Sequence, residues 1–253
     1  VQTCALPICL YCEAGDFFID PWRPVDRAVI THAHADHARR GHARMLCAPD
    51  GVDVLRTRML PGAAIDTVPY GQPMDHHGVK VSLHPAGHIL GSAQVRVEWR
   101  GEVWVVSGDY KLSPDPTCRP FEPVKCHTFI TESTFGLPIY RWQDDAGVFA
   151  QINRWWRDNA AAGRASVLLA YSFGKAQRIL AGIDASIGPV IVHSAVEPLN
   201  RAYREAGVRL PPTQLISEVT QRESLRGALV LCPPGAAAGT WLRNFGVYSD
   251  AFA

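Results

Sequence analysis

One segment, Thr31-His32-Ala33-His34-Ala35-Asp36-His37, constrains this chain more than any other. It packs three imidazoles and a carboxylate into six positions, directly after the apolar run Ala28-Val29-Ile30-Thr31, which reads as a strand. Alternate side chains of an extended segment share a face, so His32 and His34 can point the same way. Asp36 and His37 follow after a turn and can face a neighbouring point. Two pairs of ligands then address two adjacent metal ions. Imidazole with carboxylate suits zinc, and manganese or iron less exclusively.

Further donors stand where such a site needs them. His88 lies in Pro85-Ala86-Gly87-His88-Ile89-Leu90-Gly91-Ser92, between two strands, with glycines that let backbone approach closely. Asp109 follows the strand Val103–Ser107 in Ser107-Gly108-Asp109-Tyr110, and a carboxylate there can bridge two cations. Asp20 ends the strand Phe17-Phe18-Ile19. Each alone would read as a turn-stabilising or structural residue. Together, Asp20, His32, His34, Asp36, His37, His88 and Asp109 all fall at strand ends, where a sandwich gathers an active site.

The first half alternates short apolar runs with turn residues. Strands are expected at 17–19, 28–31, 79–83, 93–99, 103–106 and 129–131, with a helix near 51–60. The second half changes character. Helices at 144–162, 174–185 and 195–206 alternate with strands at 166–171, 189–193 and 228–232, which predicts a parallel sheet with crossovers. The composition shifts near Gly136–Asp144.

Composition excludes several classes. A chain of 253 residues that is 47% hydrophobic and 19% charged is neither disordered nor collagenous. The longest uncharged stretch, Gly227–Leu242, is broken by Pro233-Pro234 and is shorter than the roughly 20 apolar residues of a membrane span. No membrane partner is expected, and the expected location is cytoplasmic. The formal net charge is +1, from 25 basic against 24 acidic residues, so any polyanion site must be local. Seven widely spread cysteines suggest free thiols rather than a disulfide framework, and Cys9-x-x-Cys12 has no second pair to complete a zinc knuckle. The opening octapeptide, residues 1–8, reads as a non-native leader.

The order of these motifs resembles the metallo-β-lactamase fold hydrolases: Asp20, then His-x-His-x-Asp-His, then Gly-His with Gly-Ser, then Gly-Asp. Thr131-Glu132-Ser133-Thr134-Phe135-Gly136 is similar to the motif that opens the β-CASP subfamily, the nucleic-acid-processing branch. Ser172-Phe173-Gly174-Lys175-Ala176-Gln177-Arg178 resembles the strand-to-helix segment of the β-CASP insert. The wording Tyr11-Cys12-Glu13-Ala14-Gly15-Asp16, Asp20-Pro21-Trp22-Arg23-Pro24 and Phe135-Gly136-Leu137-Pro138 resembles the bacterial ligase-associated DNA exonucleases, relatives of the mRNA 3′-end processing nuclease.

The resemblance implies an αββα metallo-β-lactamase sandwich (9–140) with an inserted β-CASP α/β domain (141–253), the closing C-terminal part of the sandwich being absent. It implies two divalent metals, Zn²⁺ or Mn²⁺. His32, His34 and His88 would hold one, Asp36 and His37 the second, and Asp109 would bridge. Asp20 would orient a ligand imidazole. Asp36, Asp109 and Glu132 would take catalytic roles, Glu132 with a later His that protonates the leaving oxygen. That later His and a final His ligand are missing, and His193 reads as structural, so the second metal site is incomplete. The implied activity is phosphodiester hydrolysis, as a DNA exonuclease acting in repair beside a DNA ligase and a helicase. The substrate would be single-stranded DNA or a 3′ end. RNA processing by the same family, a thioesterase or lactonase, and a non-enzymatic scaffold are the alternatives. Arg39, Arg40, Lys111, Lys175 and Arg178 are candidate phosphate contacts, and Tyr140, Trp142 and Tyr171 candidate stacking or core aromatics.

Overall fold

Short apolar runs bounded by Gly, Pro and Asp favour strands over long helices, and the first half of the chain is built almost wholly of them. A computed structural model describes residues 2–4, 9–219, 225–237, 241 and 246–253. The chain divides into two units, Val1–Phe135 and Gly136–Ala253. It is an α/β fold with three sheets.

The first unit holds two of the sheets. One runs in the order β1 (Gln2–Cys4), β2 (Cys9–Cys12), β3 (Phe17–Ile19), β4 (Arg27–Val29), β5 (Arg44–Cys47), β6 (Ile65–Thr67). Its first three strands pair antiparallel and β3 to β6 pair parallel. The helix α1 (Val52–Arg58) buries Val54 and Leu55. The other sheet contains β7 (Met74–His76), β8 (Val79–Pro85), β9 (Ala93–Trp99), β10 (Glu102–Val106) and β11 (Thr128–Ile130), with only β10 and β11 parallel. Val79, Val81 and Leu83 recur with period two on β8 and face one way. They join Val95, Val97 and Val106 in one buried cluster with Phe17, Ile19 and Val29 of the first sheet. The two sheets therefore share a core. That core puts the polar C-terminal ends of β3, β4, β8 and β10 close enough for their side chains to meet.

Residues 2–4 of the expected leader pair with residues 9–11 as the edge strand; residues 1 and 5–8 lie outside the described residues. Cys12, Cys47, Cys126 and Cys232 are free thiols.

In the second unit the helix α2 (Asp145–Ala161) is capped by Asp144, whose Oδ1 accepts from Gly147 N at 3.1 Å. There follow β12 (Ala165–Leu169), α3 (Lys175–Gly182), β13 (Val190–Val192), α4 (Glu197–Glu205), β14 (Gln214–Leu215), β15 (Leu229–Cys232) and β16 (Tyr248–Phe252). The five strands form an all-parallel sheet in the order β14-β13-β15-β12-β16. Its central strands are buried on both faces, which is why they read as unbroken apolar runs. Leu168, Val192, Leu229 and Leu231 enter one core cluster, while Val167, Ile191, Val230 and Cys232 enter another. His193 follows β13, and its Nδ1 accepts from Ala195 N at 3.1 Å in the turn before α4. No helix among the described residues is long and apolar enough to cross a membrane.

Candidate metal centre

Thr31 anchors the site. It follows β4, is 1% exposed, and is held from three directions. Its N–H donates to Asp20 Oδ1 at 2.8 Å and its hydroxyl to Asp20 Oδ2 at 2.5 Å. Its carbonyl accepts from Ala93 N at 2.8 Å, which ties the start of β9 in the second sheet to the end of β4 in the first. Gly108 lies against its side chain so closely that a Cβ there would stand 2.7 Å from Thr31 Cβ and Oγ1. The chain turns from Thr31 directly into the histidine segment and from Gly108 directly into Asp109. Thr31 thus sets where both groups of ligands begin.

Four side chains converge beyond it. One ligand atom from each of His32, His34, His88 and Asp109 lies within 4.8 Å of all the others. His32 Nε2 is 3.0 Å from His34 Nδ1, and His34 Nδ1 is 3.2 Å from His88 Nε2. Asp109 Oδ2 stands 3.7 Å from His32 Nε2 and 3.6 Å from His88 Nε2. Donors held at about 2.0–2.2 Å by a tetrahedral ion are roughly 3.3–3.6 Å from one another, so this donor set fits one divalent ion. The protonation states agree. Burial, then the neighbouring imidazoles, holds His32 well below the ordinary histidine value, and the same causes push His88 down to about 4. Both are therefore neutral at pH 7, as a metal-ligating imidazole must be. The loop that carries His88 is shaped by Ser92, whose Oγ accepts from the N–H groups of His88 and Ile89.

His37 and Asp36 lie on the other side of Asp109. His37 Nδ1 bonds Asp20 Oδ2 at 2.8 Å, and its Nε2 is 3.2 Å from Asp109 Oδ1 and 3.7 Å from Asp36 Oδ2. Burial alone would lower the His37 pKa. Its hydrogen bonds to Asp109 and Asp20 outweigh that and push it up to about 10. Burial alone would raise Asp109, and the His37 hydrogen bond with the surrounding imidazoles holds it below its usual value instead. Asp109 thus turns one oxygen to each group. Asp20 fixes both, through Thr31, which lies 3.1 Å from His32 Nδ1 by its hydroxyl, and directly through His37.

The other candidates stand apart. Glu132 follows β11, and its carboxylate accepts from Thr134 N and Oγ1 at 2.6 and 2.7 Å; it reaches His88 only as a distant charge. Lys111 pairs with the buried Asp115 at 3.4 Å, and Arg178 pairs with Asp145. Arg40 donates to Arg58 O, Arg39 lies 5.0 Å over the Trp22 ring, and Lys175 Nζ donates to Ala253 O at 2.9 Å. Much of this cationic charge is therefore engaged within the protein. Thr31 is the residue that sequence reasoning missed. Its only signal was a hydroxyl next to His32, which acquires meaning once Asp20 is folded against it.

No family model matches the chain. A protein named probable DNA ligase, from Opitutus terrae, is 32% identical over 238 residues, covering 93% of this chain but 23% of that protein. The chain therefore spans about a quarter of the length of that relative. With the His/His/His/Asp cluster formed, this similarity decides the lineage. The chain belongs to the metallo-β-lactamase/β-CASP family. Partial similarity extends to cleavage and polyadenylation specificity factor subunit 3 of Dictyostelium discoideum, 28% identical over 47% of this chain and 16% of that one. An endoribonuclease of Saccharomyces cerevisiae is 28% identical over 47% of this chain and 15% of its own. A crystal structure of a protein of unknown function from Enterococcus faecalis superposes with a TM-score of 0.56 at 12% identity, covering 89% of this chain and 57% of that one, which speaks to fold alone.

Proposed function

We propose that this chain is the metal-dependent nuclease portion of a larger protein, hydrolysing phosphodiester bonds in DNA beside a ligase activity. In this reading the first unit is the αββα sandwich, and the second is the β-CASP insert. The observation that carries it is the convergence of His32, His34, His88 and Asp109, with Asp36 and His37 around the second oxygen of Asp109. The chain's similarity to a protein named for DNA ligation supports DNA over RNA.

His32, His34, His88 and Asp109 would hold one divalent ion, and Asp36, His37 and Asp109 would begin a second site, His37 giving up its proton as it ligates. Zinc or manganese bound there supplies Lewis acidity toward a phosphoryl oxygen and acidifies water. The chain's own residues do the rest. Asp36 is exposed and 3.7 Å from His37 Nε2, so its Oδ2 can accept a proton from an incoming water. Asp20 and Thr31 hold the His37 and His32 rings against rotation, so the donors need no reorganisation. Glu132, which follows β11, would add a further carboxylate to the reaction.

The test is incubation of the protein with end-labelled single-stranded DNA and RNA, and with a thioester and a lactone, each with zinc or manganese. Release of mononucleotides from DNA, lost in His88→Ala, is the expected result. Hydrolysis of the thioester or lactone with both polymers intact would overturn the nuclease reading.

A further inference from the structure

Between the two sheets of the first unit lies a cavity of about 370 Å³. Phe17, Val29, Leu46 and Val68 line it from one sheet and the loop after β6, Met74 and Val81 from the other. None of the side chains of the metal centre lines it. Phe17, Val29, Val68 and Val81 are buried, whereas Leu46 and Met74 pack against the same core cluster and stay only half-buried. Apolar side chains that face a core and still meet solvent mark an opening into it. Cavities that hold small molecules run to about 300–1,000 Å³, with mostly apolar walls and a few polar groups that fix orientation.

Here the polar groups stand at core-facing positions. Arg27 alternates with Val29 on β4 and Arg44 with Leu46 on β5, while Asp66 pairs with Leu46 across the ladder, so all share the inner face. On the other sheet His76 pairs with Val79 and Met74 with Val81, which puts His76 on the inner face too. Arg27 is matched by Asp16 at 2.6 Å and Arg44 by Asp66 at 2.9 Å. His76 Nε2 is different: it is buried and has no hydrogen-bond partner among the described residues. Its ring stacks on His77 with centroids 4.4 Å apart and meets Phe17 edge-on at 6.2 Å, which fixes its direction. A buried polar atom left unpaired costs stability, so each one in a native protein calls for a partner.

We propose that this cavity binds a small uncharged molecule with an apolar body of about ten carbons and one hydroxyl, which pairs with His76 Nε2. The space sets the size of the body at interior packing density. Its apolar walls lack dispersion partners on one side, and an apolar body restores them. A hydroxyl both donates and accepts, so it satisfies Nε2 in either imidazole tautomer. A charged head fits less well, because Arg27 and Arg44 already have carboxylate partners and a buried unmatched charge is costly. The site goes beyond the nuclease reading and does not depend on it, since the two share no side chain.

The test uses three probes, 2-naphthol, naphthalene and 2-naphthoate, which share a ring system and differ in the head. Calorimetry gives the affinities, and ¹³C-methyl methionine NMR gives the place, because Met74 lines the cavity and Met59 does not. The expected result is saturable one-to-one binding of 2-naphthol that shifts the Met74 methyl and leaves Met59 unmoved. Leu46→Trp, which fills the space, should abolish it with the circular dichroism spectrum retained. His76→Leu should weaken 2-naphthol about three- to tenfold and leave naphthalene within about twofold. Absence of saturable binding, or binding that moves Met59 and not Met74, would overturn the site. So would full affinity in a folded Leu46→Trp protein. Unchanged 2-naphthol affinity in His76→Leu would overturn the hydroxyl partner, and tighter binding of 2-naphthoate than of 2-naphthol would overturn the uncharged head. Should Leu46→Trp fail to fold, the methyl shifts of the unaltered chain decide alone.

Discussion

Gly108→Ala tests the anchoring of the metal centre at Thr31. Gly108 has φ +55°, a conformation that costs an L-residue about 1–2 kcal/mol. The smaller entropy of the unfolded alanine chain returns about 0.4–1 kcal/mol of this. The new methyl group would also stand 2.7 Å from Thr31 Cβ and Oγ1 and 3.1 Å from Cγ2. Thr31 is β-branched, buried and doubly bonded to Asp20, so it cannot rotate away. Forcing a methyl group into such a place costs about 1–3 kcal/mol. The net expectation is a loss of about 2–4 kcal/mol. Gly71→Ala supplies the control, because Gly71 has φ +74° with nothing within 4 Å of the added carbon. It should show the backbone cost alone, about 1 kcal/mol or less. The assay is urea denaturation at pH 7, followed by competition for zinc against a chromophoric chelator. Spreading Thr31 from Gly108 also spreads His32 from Asp109, so zinc affinity should drop about tenfold in Gly108→Ala and hold in Gly71→Ala. If the two variants lose equal stability and bind zinc equally, Thr31 does not anchor the site and the reasoning is refuted.

Asp20→Ala removes the acceptor for Thr31 N, Thr31 Oγ1 and His37 Nδ1, and should weaken zinc binding about 10–100-fold with the circular dichroism spectrum retained; an unchanged affinity would sink the positioning role. Zinc at a hundredfold excess over its dissociation constant should raise the unfolding free energy by about 2.7 kcal/mol, a gain that His88→Ala should abolish in a thermal melt. Burial pushes the Cys47 thiol up to about 12 and Cys232 up to about 11, so both favour the native state fully below the unfolded thiol value near 9. That contribution is lost as pH climbs from there toward 11–12, where the native thiols also ionise, and a urea midpoint flat between pH 8 and 11 would contradict it. Trp156 is wholly buried and donates from Nε1 to Gly227 O at 2.9 Å, so Trp156→Ala should cost about 3–5 kcal/mol in the denaturation curve of the second unit.

The sequence by itself marked the side chains that converge at the candidate metal centre and the strands that carry them. His32, His34, His88 and Asp109 were legible because metal ligation needs particular atoms, and turns at strand ends put those atoms within a few residues of strong apolar runs. The strands β8, β9, β12 and β15 were legible because burial on one or both faces writes a period or an unbroken run into the chain. Strands such as β6, β7 and β16 were not. They are short, partly exposed edge or near-edge segments, and a ladder to a neighbour decides them more than their own composition does. Tertiary structure alone decided that Thr31 joins Asp20, Ala93 and Gly108, since these partners are far apart in sequence and nothing local predicts their meeting. It also decided that Tyr140 and Trp142 face solvent as a parallel pair. Their spacing of two residues permitted both a core and a surface reading, and only the packing of the rest of the chain could leave them outside.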